Sequence, residues 1–67
     1  MMEIEKFVIL GKEVELPGSI STDDVPRWLT ILEEVNPSLA AEVEGKEVAT
    51  RIEGNTLVVY RQDAVYG

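Results

Sequence analysis

Between residues 25 and 35 the apolar side chains fall at Val25, Trp28, Leu29, Leu32 and Val35. On an α-helix these positions form one stripe, with Arg27, Thr30, Glu33 and Glu34 off it. The spacing predicts a helix over 23–35. Ser21, Thr22, Asp23 and Asp24 stand before it as N-cap candidates, and the two aspartates suit the positive end of a helix dipole. Pro26 falls in the first turn, where its missing N–H costs little. Asn36-Pro37 stops the helix, because the residue before a proline avoids the helical region. One amphipathic helix needs a partner layer for its stripe, and the flanking segments are of the right kind to supply it.

Residues 3–10 are rich in Ile, Val and Phe and read as a strand. Gly11-Lys12 separates them from Glu13-Val14-Glu15-Leu16, which alternates acid and apolar residues. A two-residue turn there pairs Leu10 with Glu13, Ile9 with Val14, Val8 with Glu15 and Phe7 with Leu16. Phe7, Ile9, Val14 and Leu16 then share the core face, and Pro17-Gly18 ends the second strand. Residues 48–53 and 56–61 form a second hairpin about Gly54-Asn55. It pairs Ile52 with Leu57, Thr50 with Val59 and Val48 with Arg61, leaving Ala49, Arg51, Val58 and Tyr60 on the opposite face. The stretch 38–44 is compatible with a further helical turn or a lead-in to a strand.

The expectation is therefore an α+β fold, hairpin–helix–hairpin, with one helix packed on a four-stranded mixed sheet. This order at this length suggests the ubiquitin-like β-grasp, whose first and last strands run parallel in the middle of the sheet. The whole of 1–67 reads as a single domain, with 62–67 an extended C-terminal tail. The expected core is Phe7, Ile9, Val14 and Leu16, the helical Val25, Trp28, Leu29 and Leu32, and Ile52, Leu57 and Val59.

Composition narrows the function. Thirteen acidic residues against six basic leave a formal charge of −7, the opposite of a nucleic-acid-binding footprint and unsuited to an anionic membrane. With neither cysteine nor histidine, disulfides, thiolate metal sites, cysteine nucleophiles and the commonest general base are all excluded. No apolar run approaches a membrane span and no signal-peptide pattern opens the chain, so a cytoplasmic location is expected.

Chemistry-bearing clusters have plainer explanations. Adjacent Asp23 and Asp24 could serve acid–base work, but at a helix start they cap it. Glu42, Glu44 and Glu47 lack the spacing of a calcium loop and read as a solvated face. Gly45-Lys46 lacks the glycines and the following Ser/Thr of a phosphate loop. No enzyme, cofactor or metal is expected.

The run 7–17, the helix opening Ser21-Thr22-Asp23-Asp24-Val25, then Asn36-Pro37-Ser38-Leu39-Ala40, Glu44-Gly45-Lys46-Glu47-Val48 and Gly54-Asn55-Thr56-Leu57-Val58-Val59-Tyr60 resemble the PRTRC system protein C family. That resemblance covers most of the chain and implies a bacterial ubiquitin-like protein, handled by a ThiF-type adenylating enzyme and a conjugating-enzyme-like protein. It makes Gly67 the residue activated at its carboxylate. The ending Val65-Tyr66-Gly67 departs from the Gly-Gly of many ubiquitin-like proteins and sulfur carriers.

Strand alternation supplies a surface independently. If Phe7 and Ile9 face the helix, Val8 and Leu10 face away, as do Val58 and Tyr60 when Leu57 and Val59 face in. With the first and last strands adjacent, these four meet beside Arg51. An apolar patch with a polar rim marks a contact surface, the face ubiquitin-like proteins commonly use. The candidate partner-binding residues are thus Val8, Leu10, Arg51, Val58 and Tyr60, with Tyr66 on the tail. Two functions compete: a modifier or carrier activated at Gly67, and a non-conjugated adaptor that binds through its sheet face.

Overall fold

The computed structural model describes residues 3–62. Strands β1 (Glu3–Ile9) and β2 (Lys12–Ser21) form the first antiparallel pair. A 3₁₀ helix (Thr22–Arg27) follows, then helices α1 (Trp28–Val35) and α2 (Pro37–Glu44), and a second antiparallel pair, β3 (Val48–Glu53) and β4 (Thr56–Arg61). The sheet order is β2-β1-β4-β3, with β1 and β4 parallel at its centre. The fold is thus α+β, with a four-stranded mixed sheet.

The first hairpin turns one residue earlier than expected. Its register pairs Phe7 with Val14, Val8 with Glu13 and Ile9 with Lys12, so Leu10-Gly11 is the turn in place of Gly11-Lys12. Both turn residues have positive φ, 51° and 85°, as a type I′ turn requires. The cause lies in the parallel ladder. The Leu10 N–H donates to the Val59 carbonyl at 2.9 Å, so Leu10 is still held beside β4 when the chain must reverse. A two-residue change of pairing keeps side-chain parity, and Phe7, Ile9 and Val14 remain buried on one face.

Pro17-Gly18 does not end β2. Pairing jumps from Lys6–Glu15 to Ile4–Ile20, so residues 16–19 stand opposite Glu5 alone. The strand bulges there and resumes to Ser21.

The expected helix over 23–35 is instead two segments, and the stretch left open after it forms a third. Pro26 lacks the N–H of a helical bond and crowds the carbonyl four residues back, so 22–27 tighten into a 3₁₀ helix. The Ser21 hydroxyl caps it, accepting from the Asp23 N–H at 3.1 Å, while Asp23 and Asp24 occupy its first turn. Asn36, at φ −150°, breaks α1 and begins α2, its Oδ1 accepting from the Leu39 N–H at 3.1 Å, with Pro37 in the first turn. Residues 38–44 are therefore helical.

The core redistributes accordingly. Leu32 is the one fully buried residue of α1, whereas α2 buries Leu39, Ala40 and Val43 against Ile4, Phe7, Ile9, Leu57 and Val59. Leu16, Val25, Trp28 and Leu29 are half-buried at its margin. Ile52 was expected inside but is 41% exposed. It faces the same side as Leu57, its cross-strand partner, yet β3 is an edge strand beyond the cover of the helices. No described helix is long and apolar enough to cross a membrane.

Candidate protein-contact face

The face of the sheet opposite the helices is built by alternation on two central strands. In β1, Phe7 and Ile9 are buried and Val8 between them is half-buried. In β4, Leu57 and Val59 are buried and Val58 between them is half-buried. Parallel pairing sets Val8 beside Val58, and the two antiparallel pairs extend the row to Glu13 on one side and Arg51 on the other. The neighbouring row sets Ala49 opposite Tyr60, and Tyr60 is 38% exposed. A second row, Glu15, Lys6, Thr56 and Glu53, closes the apolar strip with polar groups.

Arg51 links the strip to its rim. Its guanidinium carbon stands 5.6 Å from the centre of the Tyr60 ring, within cation–π range. Its Nη2 also meets the Glu53 carboxylate at 2.7 Å. The planar guanidinium is thereby oriented before any partner arrives, which lowers the entropy lost on binding. Lys6 and Glu13 pair at 3.4 Å on the other side of the strip.

Comparison with protein-family models, with curated proteins and with solved structures found no match.

Of the residues expected to make contact, Val8, Arg51, Val58 and Tyr60 share this face. Leu10 stands apart: it is half-buried in the turn and packs against the core. Ala49 takes a place in the strip that the sequence reading did not assign to it as a contact residue, although hairpin register already set it beside Tyr60. Tyr66 and Gly67 lie outside the described residues, as do the other tail positions beyond Gln62. Gln62 itself is tied back, its N–H donating to the Glu47 carbonyl at 3.0 Å.

The face has the makings of a recognition surface: a narrow apolar strip, an exposed tyrosine and an oriented arginine, the residue types enriched at interface hot spots. The acidic groups nearby offer no multidentate cation site; among the described residues no group of three or more Asp or Glu side chains is placed to hold a metal. Glu42, one of the acidic trio 42, 44 and 47, is engaged with Lys12 at 3.4 Å.

Proposed function

We propose that this chain is a ubiquitin-like β-grasp protein of the PRTRC system protein C kind, recognised through the open face of its sheet. In this reading it acts as a modifier or carrier in a bacterial ubiquitination-like pathway. A ThiF-type adenylating enzyme activates the carboxylate of Gly67 and a conjugating-enzyme-like protein receives it. The observation that carries the reading is the parallel β1–β4 pair at the centre of a sheet whose helices pack their apolar residues on the side of Phe7, Ile9, Leu57 and Val59. That order leaves the other side open for protein contact. It also sends the chain out of a central strand at Arg61, with five residues in the sequence beyond Gln62, which is held to Glu47. A fully extended stretch of five residues would span roughly 16 Å, the reach needed to enter an adjacent active site.

The chemistry assigned to Gly67 is a nucleotidyl transfer. A carboxylate oxygen attacks the α-phosphorus of ATP, forming an acyl-adenylate and releasing pyrophosphate. An enzyme thiolate then displaces AMP to give a thioester. Glycine suits a narrow channel because it has no side chain to collide with the walls.

The oriented Arg51 and exposed Tyr60 equally favour an adaptor that binds without a covalent step. One experiment separates the two. The chain is incubated with the ThiF-type enzyme and MgATP, and adenylate or thioester is read by intact mass and pyrophosphate release. Activation is expected for the full chain and lost on deletion of Gly67, with thermal unfolding unchanged. Tyr60→Glu should weaken enzyme binding at least ~5-fold, as the loss of an interface hot spot would. Binding that depends on Tyr60 without activation establishes the adaptor; binding indifferent to Tyr60 removes the sheet face from both readings.

A further inference from the structure

The two edges of the sheet, β2 and β3, differ in how they meet solvent. An edge strand offers unpaired backbone groups to any second strand, and proteins blunt it with proline, a bulge or charge. β2 carries two of these devices: Pro17 supplies no N–H, and pairing with β1 is broken across 16–19. β3 carries neither. It pairs with β4 residue for residue from Val48 to Glu53, without proline or a register shift. Its two charged side chains, Arg51 and Glu53, meet at 2.7 Å, so this edge is locally neutral in a chain of net charge −7. The helices stop short of it, since Ile52 on the helix side remains exposed.

The register decides which backbone groups of β3 face outward. The ladder continues one pair past the strand, where the Gln62 N–H donates to the Glu47 carbonyl at 3.0 Å. Hydrogen-bonded and non-hydrogen-bonded pairs alternate in an antiparallel ladder. Positions 47, 49, 51 and 53 therefore direct their backbone groups to β4, whereas Val48, Thr50 and Ile52 direct theirs away from it. No described strand lies beyond them.

We propose that β3 pairs antiparallel with β3 of a second copy of this chain, about a twofold axis perpendicular to the sheet at Ala49. This axis sets Val48 opposite Thr50 of the second copy, and Thr50 opposite its Val48, through the outward-facing backbone groups. On the open face it sets Glu47 opposite Arg51 and Arg51 opposite Glu47, two complementary pairs. Ala49 meets its own counterpart at the axis, where a small side chain leaves room. Other axes fit less well. At Thr50 the axis would set Glu47 against Glu53, and at Arg51 it would set two guanidinium groups face to face. At Ile52 it would run the pairing into the turn at Gly54, whose φ is 60°. Pairing about Ala49 joins two four-stranded sheets into one, with both open faces on the same side. Like net charge on the two copies opposes association, so the dimer strengthens as salt is added. The contact stands whether or not Gly67 is activated.

The test is sedimentation equilibrium of the full chain in about 0.3 M NaCl, where repulsion between copies is screened. A monomer–dimer equilibrium is expected below millimolar concentration. Arg51→Glu or Glu47→Arg alone should weaken it ~10-fold, since each sets like charges opposite at two places, and the two together should restore it to within ~3-fold. Thr50→Pro removes an outward N–H at an edge position that tolerates proline, and should abolish the dimer while the circular dichroism of the monomer is kept. The chain has no cysteine, so Ala49→Cys reports the axis. The Cα atoms of a non-hydrogen-bonded pair stand ~4.5 Å apart, within disulfide reach. Oxidation should link two copies through position 49, and Thr50→Cys should link them far less. A monomer at millimolar concentration, a charge swap that fails to restore association, or linkage through position 50 in preference to 49 would overturn the proposal. So would a dimer that survives Thr50→Pro, which would place the contact on another surface.

Discussion

Leu10 and Gly11 carry the first hairpin through two consecutive residues at positive φ, a region that side chains with a Cβ enter at a cost. Glycine is needed at position 11 for its backbone and not for space, since an added Cβ there meets no atom within 4 Å. Gly45, the C-cap of α2, has the same open surroundings but φ −91° and ψ 7°. Comparing the two isolates the backbone contribution. Gly11→Ala should destabilise by ~1 kcal/mol. Gly45→Ala should be neutral or stabilising by up to ~1 kcal/mol, because it only restricts the unfolded chain. Urea midpoints check this, and equal effects would contradict the turn at 10–11. Sequence reasoning placed the turn one residue late because it let glycine open it. Leucine has no propensity that announces φ 51°; the hydrogen bond to Val59 imposes it.

At the scale of elements, α2 is the instructive case. Asn36 and Pro37 read as a helix stop, and they are one, but the same pair is also a helix start, with asparagine as N-cap and proline in the first turn. Leu39, Ala40 and Val43 follow helical spacing, yet a run this short is also compatible with a strand. Its burial under the sheet decides the matter, and it makes α2 the larger contributor to the core. Leu39→Ala should therefore cost ~2–4 kcal/mol. Ile52→Ala, at an edge position 41% exposed, should cost under ~1 kcal/mol. Chemical denaturation of the two variants tests the ranking, and the reverse order would place the helix layer over β3 instead. The second hairpin shows the opposite situation. Its three expected pairs all occur, because Gly54, at φ 60°, opens a turn at the position its sequence advertises.

For the whole molecule the governing quantity is charge. The three ion pairs Lys6–Glu13, Lys12–Glu42 and Arg51–Glu53 have side chains 37–62% exposed, so each contributes little. Self-repulsion of −7 on so small a body outweighs them. Raising NaCl from about 10 mM to about 0.3 M should raise the thermal midpoint by a few degrees, since screening relieves the repulsion more than it weakens the pairs. A fall in the midpoint would mean that specific pairs dominate.

Sequence alone was enough for the period of each segment, hence the four strands, the α1 stripe and the parity that sends Val8, Val58 and Tyr60 to the face opposite Phe7, Ile9, Leu57 and Val59. Period is a local property, set by side-chain geometry along one segment, and it survives a change of register by two. Tertiary structure alone decided the rest. The turn at Leu10-Gly11 depends on a hydrogen bond to a strand nearly fifty residues later. The inward turn of Leu10, the exposure of Ile52 and the burial of α2 depend on which element covers which. The bulge in β2 exists because residues 16–19 outnumber their partners on β1. Each of these is a relation between segments distant in sequence, which no local pattern encodes.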